Sequence, residues 1–457
     1  MHYGLLGALF FLSVPIIVKL SITVYVDLGV VFFTTASLLL LLHWAEQNFK
    51  WRSLVLAGLC CGLAAGTKYN GLIAIVVLTL FVPIIYQQNI DKEAQSNSKA
   101  LFRCVVFVAA ALTTFAPWLI RNYAWTGNPI YPLHNSIFQK TRTLNANQHP
   151  TTLKNITDTP QQFIQQGNNA FISRKILYNE PLWQTLLLPI RYFYEGKDDN
   201  PQFFDGKLTP FLLILPALSF LLRPSCKRQR IEQKILLSFA FLYFFMTFFQ
   251  GAMRIRYIAP IVPSLVILSL YGLQGIFNKV FLFNDTVKEL KSRSIFAFVC
   301  VASLPFWYNG QYLANLFSTV NPFPYLQGKI SRDEYITSFR PEYSAIQYAN
   351  SILPPKAKVL CLFLGHRGYY MNFYPVFEQP NSFGIFSEFL SLENKNFTIL
   401  DLMREKNITH VLMRNDLTAL WFKRMSNENQ LRIKSLFANK IDPVLIQKEY
   451  TFFKISK

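Results

Sequence analysis

The chain has 457 residues, of which 52% are hydrophobic and only 15% charged, where a soluble domain carries about 25% charged residues. Its formal net charge is +20, a balance that in a soluble protein would suit nucleic acid. Here the bases fall in short stretches between long apolar runs, which excludes nucleic acid as a partner and points to a membrane surface.

Runs near 4–20, 25–43, 53–67, 69–86, 101–120, 208–222, 233–250, 256–277 and 294–313 are apolar enough to be read as about nine membrane spans, by the rule of roughly 20 apolar residues per crossing. The third is short and ends at Gly66-Thr67-Lys68, so a tilted or re-entrant segment is an alternative there. The stretch 181–194 is too short to cross and reads as an interfacial helix. Lys50 and Arg52, then Lys92, Lys99 and Arg103, then Arg223, Lys227, Arg228, Arg230 and Lys234, and finally Lys279, Lys288, Lys291 and Arg293 occupy alternate loops. The positive-inside rule makes those loops cytoplasmic. The other side then receives the long polar loop 121–207 and everything after 314.

Beyond residue 325 the apolar runs shorten. Residues 357–364 read as a buried strand before a Gly365 turn, 399–407 as a helix, 408–413 as a strand and 444–455 as a last strand. Alternating strand and helix predicts a small α/β domain. The expected fold is an all-α polytopic bundle with a C-terminal extracytoplasmic α/β domain. Its parts are spans in 1–120, the outer loop 121–207, spans in 208–324 and the α/β domain 325–457.

Charged residues at the mouths of the spans are candidates for a site, because charge is costly near hydrocarbon. Asp27 opens the second span; a helix cap worth about 1 kcal/mol is the plain alternative. Lys68, followed by Tyr69, lies between Gly66 and Gly71 on the side that disfavours bases. A snorkelling lysine competes there with a phosphate-binding one. Arg121 and Asn122 leave the fifth span among Trp118, Tyr123, Trp125 and Tyr131, as an aromatic belt with its anchor or as a cavity lining. Arg254 and Arg256 beside Tyr257 present rigid forks suited to phosphate; an ion pair with Asp27 is the alternative. His134, His149 and His366 read as ordinary surface residues. Three Asn-X-Thr triplets, at Asn155, Asn396 and Asn407, match only a weak glycosylation pattern. The six cysteines show neither a disulfide framework nor zinc spacing.

The order YVDLGVVFF, GLCCGLAAGTKYNGL, PWLIRNYAWTGNPIYP and RIRYIAPIVPSL resembles the C superfamily of lipid-carrier-dependent membrane glycosyltransferases. The nearest likeness is to protein O-mannosyltransferases and bacterial aminoarabinose transferases, over roughly residues 4–275. The resemblance implies a sugar donor linked to polyprenyl phosphate or pyrophosphate and a lipid, glycan or protein acceptor, meeting on the periplasmic face of a bacterial inner membrane. It implies that Lys68, Arg254 and Arg256 hold the lipid phosphate and that Asp27 is a secondary acid of the site; in this chain Asp27 is the one strong candidate base, with orienting the acceptor as the alternative role. No cofactor is required by the pattern, and a divalent metal stays open. The family places its main acid, often in a pair, in the first outer loop, and no such pair precedes Asp27 here. The start at Met1-His2-Tyr3, without a charged leader or cleavage site, favours a chain that begins downstream of that loop. A transporter of lipid-linked saccharides, which should show internal symmetry, and a non-catalytic assembly subunit are the rival readings.

Overall fold

The computed structural model describes residues 2–90, 96–135, 137–138, 174–175, 177–222, 226–248, 253–282, 288–365, 367–378, 384–391, 398–423, 425, 427, 429–431, 441–447 and 449–455. It divides into two units, Met1–Leu316 and Phe317–Lys457.

The first unit is helical. Its elements are α1 (His2–Ser13), α2 (Pro15–Ile22), α3 (Asp27–Glu46), α4 (Trp51–Thr67), α5 (Gly71–Gln88), α6 (Asn97–Thr126), α7 (Leu182–Leu186), α8 (Leu188–Tyr194), α9 (Phe211–Leu221), α10 (Lys227–Phe248), α11 (Ile255–Ile258), α12 (Val262–Leu282) and α13 (Lys288–Val320), whose last residues pass into the second unit. Four described helices are long and apolar enough to cross a membrane: α3, α5, α6 and the stretch Ile255–Lys279. A fifth span results if α1 and α2, bent by 66° at Val14-Pro15, cross together; a proline at the start of a helix favours such a break. The other expected spans fall on α4, with 17 residues, α9, with 11, α10 and α13. All are helical, but α10 begins with the charged stretch KRQRIEQK.

Small residues bring these helices close. A β-carbon on Gly58 or Gly62 would overlap the α6 backbone at Phe107 or Ala111, so α4 and α6 approach almost backbone to backbone. Gly71 packs in the same way against the carbonyl of Ala64. The α4–α5 turn is therefore tight, and Lys68 sits at its tip in an extended conformation. The core around these contacts includes Trp44, Phe81, Phe107, Phe239 and Tyr243, all fully buried.

The second unit continues with α14 (Phe323–Leu326), α15 (Arg332–Phe339) and α16 (Glu342–Ile352). It then alternates through β1 (Lys358–Leu362), β2 (Tyr374–Glu378), α17 (Ile385–Ser391), α18 (Ile399–Glu405), β3 (Ile408–Arg414), α19 (Asn415–Lys423), β4 (Ile441–Ile446) and β5 (Tyr450–Ile455). The strands lie in the order β2-β1-β3-β5-β4, with the first three parallel and the last two antiparallel additions. β2 and β4 are the edges. Capping boxes, Ser331 with Glu334 and Thr398 with Asp401, start α15 and α18. The strand expected over 444–455 is instead a hairpin closed by Gln447 and Tyr450, a turn that lacks the usual Gly, Asn or Pro signal.

Candidate functional site

Asp27 begins α3 but does not cap it; the capping position is Val26, and no side-chain cap bond forms. The carboxylate turns instead to the α4–α5 turn, where its Oδ1 lies 2.6 Å from Lys68 Nζ. Asp27 is 4% exposed, and its Oδ2 has no hydrogen-bond partner. Lys68 also stands over the Tyr257 ring, 4.9 Å from its centre.

Arg256, in α11, fills the other side of the same aromatic group. Its guanidinium lies 4.3 Å from the centre of the Tyr25 ring and 5.2 Å from that of Tyr257. No carboxylate lies within ion-pair distance of Arg256 among the described residues, and its Nε has no hydrogen-bond partner. The ion pair of Asp27 with an arginine, the alternative reading of the sequence, is not formed among the described residues; Asp27 pairs with Lys68 instead. Arg256 is held by ring faces, which attract cations.

Tyr69, next to Lys68 in the chain, meets Asn122 of α6. Asn122 Nδ2 donates to the Tyr69 oxygen at 2.7 Å, and the Tyr69 hydroxyl donates to the Tyr131 carbonyl. Gly127, with φ +72°, ends α6 in the left-handed conformation. The fully buried Asn128 then folds the Gly-Asn-Pro turn back, donating to the Leu133 carbonyl and accepting from the Ile130 amide. Arg121 does not join them. It is exposed and stacks on Trp118 and Trp125 of its own helix, the belt anchor that the sequence offered as the alternative.

Arg254 is engaged elsewhere. Its guanidinium lies 3.4 Å from Asp205, within the long polar stretch 121–207. That loop is anchored by Phe204, which has φ +66°, is fully buried and stacks on Tyr192. The Ile255 amide donates to the Phe204 carbonyl, which ties the loop to the Arg-Ile-Arg segment. Lys19 of α2 meets three aspartates of the loop, Asp198 at 3.0 Å, Asp199 at 3.9 Å and Asp205 at 3.3 Å. The Tyr312 hydroxyl donates to Asp198 at 2.7 Å. Among the described residues, no cluster of His, Cys, Asp or Glu is arranged to hold a metal ion; the Lys19 ammonium takes the position between these carboxylates. The sequence signal for the group was the run Lys-Asp-Asp-Asn before Phe-Phe-Asp-Gly, just after the short helix α8.

Beneath the loop, the buried Glu180 carboxylate receives Arg174 at 2.7 Å and Arg191 at 3.2 Å. Burial alone would raise its pKa, but the two guanidiniums outweigh that and hold it below the ordinary value.

Residues 1–128 match the family model of the dolichyl-phosphate-mannose-protein mannosyltransferases. This part of the chain is similar to the C-superfamily membrane glycosyltransferases. The match contains Asp27, Lys68, Tyr69, Arg121 and Asn122, and stops short of Arg254 and Arg256. No curated protein matches the sequence significantly. Among solved structures, the archaeal oligosaccharyltransferase AglB from Archaeoglobus fulgidus, in complex with an inhibitory peptide and a dolichol-phosphate, is similar at 13% identity and a TM-score of 0.39. That likeness covers 94% of this chain and 57% of AglB, so the chain spans little more than half of that protein's length. The family match and the apolar helices make this an integral membrane protein.

Proposed function

We propose that the chain is a membrane glycosyltransferase that moves a sugar from a polyprenyl phosphate or pyrophosphate donor to a lipid, glycan or protein acceptor. In this reading the bundle has about nine spans, and the site and the α/β domain face the periplasm of a bacterial inner membrane. The observation that carries the proposal is the meeting of a buried acid and two cations, Asp27, Lys68 and Arg256, at the rings of Tyr25 and Tyr257. Two of the three lie in the segment that matches the mannosyltransferases.

The chemistry follows from the charges. When the bond from the sugar carbon to the donor phosphate breaks, the electron pair and the negative charge go to the phosphate oxygen. Fixed cations at that point lower the barrier without reorganising. Arg256, free of a carboxylate partner, takes the phosphate, with Lys68 and Arg254 close by. The unpartnered Oδ2 of Asp27 accepts the acceptor's proton. An apolar cleft of about 340 Å³, lined by Phe193, Leu213, Phe241, Phe244 and Ile261, suits the polyprenyl chain.

The test is transfer from radiolabelled polyprenyl-phosphate sugars in membranes carrying the chain. Asp27→Asn should lose turnover with donor binding retained, and Arg256→Ala should weaken donor binding. Wild-type membranes that bind no such donor would overturn the proposal.

A further inference from the structure

The ends of α3 and α5 away from Asp27 and Gly71 meet the start of α10 around a second cavity, of about 570 Å³. That size is in the range of ligand sites, about 300–1,000 Å³. Its rim is charged. Glu46 and Glu232 are both occupied: Arg228 pairs with each, His43 takes the second oxygen of Glu46, and the Tyr271 hydroxyl donates to the second oxygen of Glu232 at 2.7 Å. The charge that remains at the rim is cationic, beside the Gln88 and Asn89 amides, which can donate or accept. Lys227 has no carboxylate within ion-pair distance among the described residues, Arg228 uses only its Nε and Nη2, and the Gln88 amide is exposed. The back wall is apolar, formed by Leu42, Ile85, Ile231 and Ile235.

A cavity with occupied carboxylates, spare cationic donors and an apolar back recognises an anion attached to a hydrocarbon tail. A soluble anion would gain nothing from the wall, and an ammonium headgroup would find no free carboxylate. Basic pockets between membrane helices are suited to acidic headgroups. We propose that this cavity binds the phosphate of an anionic membrane phospholipid, with an acyl chain against the isoleucine wall. It is separate from the donor site, at the other end of α3 and α5, and does not depend on the glycosyltransferase reading.

The experiment uses the full chain, purified in neutral detergent and titrated with dioleoyl-phosphatidylglycerol. Lipid retention is read by native mass spectrometry and thermal stability by intrinsic fluorescence. Phosphatidylglycerol should be retained and should raise the melting temperature, whereas phosphatidylcholine and inorganic phosphate at equal concentration should do neither. Lys227→Ala, an exposed change, should lower the apparent affinity about fivefold. Ala45→Phe, which fills the cavity, should abolish retention. Equal affinity in wild type and Lys227→Ala would overturn the proposal. An equal response to inorganic phosphate would overturn the lipid assignment.

Discussion

Asp27 gives one carboxylate oxygen to Lys68 at 2.6 Å and leaves the other, buried, without a partner. Removing one member of a buried ion pair strands the other and costs about 3–5 kcal/mol; Lys68 is partly open to solvent, so about 2 kcal/mol is expected here. Lys68→Met should therefore lower the melting temperature, and the double variant Asp27→Asn/Lys68→Met should recover most of the loss. A double variant no better than the single one would show that the pair is not coupled.

Arg256 and Arg254 should behave differently despite standing two residues apart. Arg256→Lys keeps the charge and loses the planar stack on Tyr25 and Tyr257, worth about 0.5–2 kcal/mol. Donor affinity should fall by about tenfold. Arg254 must first leave Asp205, so Arg254→Lys should change donor affinity much less. Binding isotherms of the two variants, measured side by side, decide the point.

Glu180 makes its surroundings acid-sensitive. Its folded pKa is below the ordinary 4.5, so the unfolded chain binds protons more readily as the pH falls. The stability it contributes is present above about pH 4.5 and is lost as the pH falls through the folded value. Glu180→Gln should remove this acid limb and, by leaving Arg174 buried without a carboxylate while Arg191 keeps Glu195 at 2.6 Å, cost about 3 kcal/mol at neutral pH. Unfolding curves at pH 7 and pH 4 test both parts.

His410 sets a second, milder limb in the α/β unit. It stacks on Phe452 and faces Lys454 across the ladder. Burial, and then the lysine charge, lower its pKa from 6.5. Its contribution is therefore present above about pH 6.5 and lost as the pH falls through the lower folded value. His410→Asn should flatten this part of the pH profile when hydrogen exchange in β3, corrected for its intrinsic pH dependence, is followed between pH 7.5 and 5. An unchanged slope would reject the assignment.

Legibility in the sequence followed the strength of each local signal. Each expected apolar run is largely helical over its described residues, because in hydrocarbon a helix satisfies the backbone within itself. Strand β1, helix α18 and strand β3 were readable from alternating short apolar segments, whereas β2 was hidden in the aromatic stretch Tyr374–Glu378. Asp27, Lys68 and Arg256 stood out as charges where hydrocarbon disfavours them. Their pairing did not, since which base an acid meets depends on helix packing; the close contact of Gly71 with Ala64 places Lys68 at the tip of its turn. For Lys19 and the aspartates of residues 198–205 the Lys-Asp-Asp-Asn run marks a charge cluster, but a polar loop has no periodicity to reveal what it folds against.

The five-stranded sheet ends on β2 at one side and β4 at the other, and each of these border strands carries a proline, Pro375 and Pro443. A proline has no amide hydrogen to offer to an incoming chain. Neither border can be extended by a full ladder, which guards this unit against strand-to-strand aggregation.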